Sequence, residues 1–168
     1  LESDDPASVR ALVGIENLRI HYNGAGGHTG YINFRNVGSS RIRDVYINGG
    51  NQGIGILLDD QHYNVLDHIA ATYCVTGIML ANAANHNSIT NCTCNNNTTG
   101  INISDTGTRA VIIENCTFEG NTLGLNDNGY DNRCLNSYFE ANTTDIFFDR
   151  YRSRVKDCYF DSTPVITD

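Results

Sequence analysis

A chain of 168 residues with a formal net charge of −8 is long enough to bury a core, and nucleic-acid binding is not expected of it: its densest basic run, Arg150, Arg152, Arg154 and Lys156, reads as one face of a strand or a solvated edge. It contains no apolar run of about 18 residues, so membrane insertion as a helix is not expected. Two prolines, no tryptophan and an abundance of Asn, Thr, Gly and Ile disfavour helix and favour short strands joined by turns.

The first stretch, LESDDPASVR, is acidic and polar and does not read as a secretory signal. Residues 1–11 are taken as a lead-in, and from there one phrase recurs along the chain. Its opening apolar residue is Ile15, Ile42, Leu66, Ile89, Ile113, Cys134 and Val155, at steps of 27, 24, 23, 24, 21 and 21 residues. Two positions on comes a turn-forming polar residue: Asn17, Asp44, His68, Asn91, Asn115, Asn136, Asp157. An inward pair follows in each phrase, from Leu18 and Ile20 in the first to Cys158 and Phe160 in the last. After a polar turn a second phrase opens on Gly30, Gly55, Gly77, Gly100, Gly124 and Asp145.

Each repeat holds two or three strands of three to five residues with alternating apolar positions. A helical period is absent, and the variable steps exclude a strict hexapeptide repeat. The expected fold is all-β: a right-handed parallel β-helix of about seven turns of 21–27 residues, a single domain over 1–168 with its turns across 12–166. Equivalent residues then stack about 4.8 Å apart. In this reading the Asn/Asp column takes left-handed bends and builds amide ladders, and the glycine of the second phrase supplies a positive φ. The six cysteines form no CxxC pair and read as small buried hydrophobes rather than a disulfide framework. Sequons at Asn91, Asn97, Asn102, Asn115 and Asn142 are discounted as products of composition, with their asparagines tied up in ladders.

The pattern I-x-N-C-x-F-x-x-N-x-x-G-[IL] at 113–125, with its relatives, resembles the repeats of the pectin-lyase-like superfamily over about residues 12–166. That superfamily includes polysaccharide lyases, polygalacturonases and the trimeric tailspikes of bacteriophages. The resemblance implies a polysaccharide partner along an outer flank, hydrolase or lyase chemistry if the protein is an enzyme, and a virion-tail or extracellular location. A tailspike-like member is a homotrimer. The chain departs from complete members in its few turns and in lacking capping elements, so a fragment of a longer protein is expected.

If the repeated residues are scaffold, chemistry belongs where an outward column changes character. After the Phe column the residues run His21, Asn48, Thr72, Asn95, Glu119, Glu140, Asp161. Three successive carboxylates, with neighbours about 5 Å apart, suit the acid and base of glycoside cleavage. Glu119, Glu140 and Asp161 are therefore the catalytic candidates. Two residues earlier the column ends in Tyr138 and Tyr159, rings that suit a sugar face. Tyr138, Tyr159, Tyr130 and Arg150 are the candidate substrate contacts, and Arg133, Arg150 or Arg154 the expected partners of the carboxylates. The bland alternative is a solvated acidic edge or a subunit contact.

The loop Asp127–Asn132 has oxygen-rich spacing, which makes Asp127 and Asp131 candidate Ca²⁺ ligands, and Asp59–Asp60 a weaker pair. No other cofactor is expected. The histidines at 21, 28, 62, 68 and 86 form no HxH or HxxxH. The two functional readings are a protein that binds or depolymerises a cell-surface polysaccharide, and a non-catalytic structural or receptor-binding shaft.

Overall fold

Alternating apolar residues demand strands with one buried side, and their recurrence demands that equivalent strands pair. The computed structural model describes residues 12–22, 30–35, 37–149 and 152–161, and the backbone of 166–167. Strand pairings among these residues are all parallel. The anchors Ile15, Ile42, Leu66, Ile89, Ile113, Cys134 and Val155 pair in that order, each with its counterpart one turn away. The chain thus coils through six complete turns between the first anchor and the last.

Three faces result. The first carries the anchors, on Gly14–His21, Arg41–Asp59, Val65–Ala81 and the short strands Ser88–Thr90, Ile112–Glu114, Arg133–Leu135 and Arg154–Lys156. The second contains the end of Gly14–His21 and the middle parts of Arg41–Asp59 and Val65–Ala81, whose ends lie on the third, then Thr93–Asn95, Thr117–Glu119, Tyr138–Glu140 and Tyr159–Phe160. The third opens with Ile32–Arg35 and closes with Thr144–Phe148 and Ile166–Thr167. Strands of three to five residues were expected; Arg41–Asp59 and Val65–Ala81 instead run 19 and 17 residues across the corners. Those two turns pair with each other through the bend, where one register shift between Asn48 and Gln52 absorbs the difference in length.

Between the faces lies one continuous apolar core. Ile42, Leu66, Ile89 and Ile113 fill it from the first face, and Ile56, Ile78, Ile101 and Ile146 from the third, all nearly inaccessible. On the second face Ala71 and Cys94 give way to Phe118, Phe139 and Phe160, whose rings stack at 4.6 and 5.1 Å. The six cysteines are free thiols, five of them buried, so they serve as the small core residues expected.

The corners explain the polar half of the phrase. Asn17, Asp44, His68, Asn91, Asn115, Asn136 and Asp157 all have left-handed backbone, with φ between 48° and 56°. Short polar side chains tolerate that region best. The same geometry recurs at two corners where composition gave no hint: Tyr73, Asn96, Gly120 and Ala141 at one, and Ser39, Tyr63, His86, Ala110, Asp131 and Arg152 at the other.

Two expectations are corrected. The Asn/Asp column is exposed, and the buried amide ladders run elsewhere, through Asn64–Asn87 and Asn97–Asn121–Asn142. Asn121 shows the logic: its Oδ1 accepts the Asn97 N–H at 2.9 Å, and its Nδ2 donates to the Cys94 carbonyl at 2.8 Å. Ladders at Asn97 and Asn142 do engage those sequon asparagines, and the exposed Asn91 donates its Nδ2 to Asp67 Oδ1 at 2.9 Å, but Asn115 is exposed and outside the buried ladders, so that ground for discounting it fails. The glycine column has ordinary φ; Gly50, Gly53 and Gly120 are the glycines with positive φ among the described residues. Gly77, Gly100 and Gly124 are required because a Cβ would meet the next turn's carbonyl at 2.5–2.6 Å.

Two substitutions test this account by urea denaturation. Asn121→Leu orphans a buried N–H and a buried carbonyl and should lower stability by about 2–4 kcal/mol. Ala141→Gly relieves a left-handed alanine at an exposed corner and should raise stability by roughly 0.5–1 kcal/mol.

Candidate functional site

Outward residues of the second face stand in the columns that the repeat implied. Tyr46, Ala70, Thr93, Thr117, Tyr138 and Tyr159 are in register, and so are Asn48, Thr72, Asn95, Glu119 and Glu140. Glu119 and Glu140 are directly paired on neighbouring strands, which places their Cα atoms about 4.8 Å apart. Asp161 follows one turn later, its N–H donating to the Phe139 carbonyl at 3.0 Å. The three carboxylates therefore share one flank of the coil.

Each of the paired carboxylates already has a neutral donor. The Asn95 Nδ2 donates to Glu119 Oε2 at 3.2 Å, and the Glu119 N–H donates back to Asn95 Oδ1 at 3.1 Å. The Tyr138 hydroxyl donates to Glu140 Oε2 at 2.9 Å. The Tyr138 and Tyr159 rings stack with centroids 5.0 Å apart and planes 1° from parallel. One ring face of each is consumed by the other, and Tyr159 remains 57% exposed. Losing its proton would leave the Tyr138 phenolate against Glu140, so its pKa is pushed up to about 12, chiefly by that hydrogen bond.

The other candidates separate from this group. Tyr130 belongs to the corner between the third and first faces, where it bridges Arg109. The guanidiniums of Arg109 and Arg152 lie over its ring, 5.8 and 5.4 Å from the centroid. Tyr130 is thus no neighbour of Tyr138 in the candidate site: it lies before the Cys134 anchor in its turn, and Tyr138 lies after it. Arg133 and Arg154 are on first-face strands, not beside the carboxylates they were expected to balance. Arg150 and His28 lie outside the described residues.

The two calcium candidates point in opposite directions. Asp127 occupies an inward position in register with Ile103 and is buried. Its Oδ1 accepts the Gly129 N–H at 2.8 Å and Asn132 Nδ2 at 2.7 Å, which makes it an internal turn clamp. Asp131 faces outward and pairs with Arg152 Nε at 3.1 Å. Asp59 is occupied by Arg35 and Asn82, and Asp60 by His62. Among the described residues no cluster of three or more His, Cys, Asp or Glu side chains assembles as a metal site.

A family model for the right-handed β-helix region matches residues 7–144, most of the chain. The chain belongs to this family. No curated protein and no solved structure matches it significantly. Right-handed β-helix membership agrees with the parallel coil and is consistent with the pectin-lyase-like superfamily. It supports a carbohydrate-associated or structural β-helix protein.

The contact between Tyr138 and Glu140 is open to direct test. In an absorbance titration, one tyrosine of the native protein should ionise near pH 12, and Glu140→Gln should move that ionisation towards 10, the ordinary tyrosine value. Because the folded pKa is raised, this contact stabilises the fold fully below pH 10. That contribution is lost as the pH climbs through 12.

Proposed function

We propose that this β-helix protein binds a polysaccharide along its second face and depolymerises it at the Glu119–Glu140 pair. The observation that carries the reading is the direct register of two outward carboxylates beside a stacked tyrosine pair. A parallel strand spacing of about 4.8 Å is close to the roughly 5–5.5 Å between the carboxyl groups of retaining glycosidases. Glu119 protonates the glycosidic oxygen, whose bond to the anomeric carbon breaks as Glu140, oriented by the Tyr138 hydroxyl, attacks that carbon; water deprotonated by Glu119 then hydrolyses the glycosyl ester and frees Glu140. Tyr159 supplies an exposed apolar ring for the sugar, and Asp161 extends the acidic flank by one turn. The finer form of this proposal is a tailspike-like depolymerase of a cell-surface polysaccharide, on a virion tail or secreted.

A second reading rests on a specific observation as well. Both carboxylates are engaged by neighbouring side chains, and the tyrosines by each other. Such a flank also serves a rigid, non-catalytic shaft that assembles as a homotrimer. Reducing-end release from bacterial surface polysaccharides, combined with mass by light scattering, separates the two. Under the first reading, Glu119→Gln and Glu140→Gln each lower turnover at least about 100-fold while the circular dichroism spectrum is unchanged. Turnover that survives both substitutions removes the site, and a trimer without turnover on any glycan establishes the shaft.

A further inference from the structure

The corner between the third and first faces changes chemistry along the coil. Its left-handed column runs Ser39, Tyr63, His86 and Ala110, then becomes Asp131 and Arg152. The outward first-face column beside it runs Val65, Ser88 and Ile112, then becomes Arg133 and Arg154. Together the later turns form a groove of about 500 Å³ bordered by His86, Ile112, Asp131, Arg133, Arg152 and Arg154. Three guanidiniums face one carboxylate there, on a chain whose formal net charge is −8.

The three arginines are not equivalent. Arg152 is held: its Nε pairs with Asp131 at 3.1 Å, its Nη1 donates to the Tyr130 hydroxyl at 3.3 Å, and its plane covers the Tyr130 ring. It is held in spite of a backbone φ of 84°, well into the left-handed half of the map. Arg133 and Arg154 stand directly opposite each other on paired strands, and neither has an ion pair among the described residues. Like charges placed opposite on adjacent strands repel. The fold therefore keeps a repulsive pair at the edge of a groove whose one carboxylate, Asp131, is paired with the third guanidinium, Arg152.

We infer that this groove binds a tetrahedral oxyanion, a sulfate or phosphate monoester group carried on a larger molecule. Guanidiniums are planar forks that donate two parallel hydrogen bonds to oxyanions. A carboxylate has two oxygens and is satisfied by one fork. A sulfate or phosphate ester presents three free oxygens in different planes and takes donors from Arg133 and Arg154 together. Ile112, 36% exposed, gives the remainder of the ligand an apolar wall. The inference is independent of glycan cleavage on the second face and stands or falls separately from it.

Isothermal titration with phenyl sulfate, phenyl phosphate and benzoate tests it at low ionic strength. One equivalent of at least one ester should bind, more tightly than benzoate, and binding should weaken as salt screens the charges. The preferred ester identifies the source. Arg133→Gln and Arg154→Gln should each weaken binding roughly tenfold, and the double variant should abolish it. Arg41→Gln, in the same outward column at the far end of the coil, should leave it unchanged. These are exposed strand positions, and circular dichroism verifies that each variant folds. Absence of ester binding, equal affinity for benzoate, or full affinity in the double variant overturns the inference.

Discussion

Everything in this protein depends on each turn returning to register with the one before. The backbone accomplishes this with a left-handed residue at each corner, repeated at the same place in successive turns. A left-handed residue turns the chain from one face to the next: the strands run on through it in the first three turns and break at it in the later ones. Once the corner is set, inward positions stack on inward positions, and the apolar columns become one uninterrupted core. Buried asparagines then satisfy the corner amides that the sheets leave unpaired, each turn's side chain serving the turn before it. The cost of a left-handed alanine or tyrosine is borne locally because the stacked neighbours over-determine the geometry.

Such a scaffold presents its surface as columns, and columns amplify small changes of sequence. Replacing Asn95 by glutamate in the following two turns converts a neutral flank into adjacent carboxylates. Replacing Ser88 and Ile112 by arginine in the following two turns produces the opposite charge on the next face. In the later turns the protein therefore carries an acidic flank and a basic groove separated by the Asn91–Asn115–Asn136 corner. Glu119 and Glu140 have neutral partners in Asn95 and Tyr138, whereas Arg133 and Arg154 have no ion pair among the described residues. That asymmetry is why the two surfaces support different proposals.

Much of the fold was legible in the sequence. The seven anchors, the inward columns and the two outward columns of the second face could all be read because a period of 21–27 residues with strict alternation leaves few registers open. The left-handed corner at Asn91 and its equivalents was legible because those residues are short and polar. The other two corners were not, since Tyr73, Ala141 and Arg152 adopt the same conformation with no local preference for it. The glycine column was placed correctly but for the wrong reason. Its requirement is a carbonyl one turn away, which no local propensity reveals.

By itself, then, the sequence determined the coil, its direction of stacking and which residues share a face, because these follow from periodicity and alternation alone. Only the tertiary structure decided which polar residues are spent on the fold and which remain available. Asp127 and Asp131 look alike in a six-residue loop, yet one is a buried clamp and the other an outward partner of Arg152. Tyr130 and Tyr138 look like members of one aromatic site, yet an anchor strand separates them. Arg133 and Arg154, 21 residues apart in the chain, become direct neighbours with no ion pair among the described residues. The physical reason is the same in each case. The direction of a side chain at a corner, and the charge it meets one turn away, are properties of the stacked coil and not of any single repeat.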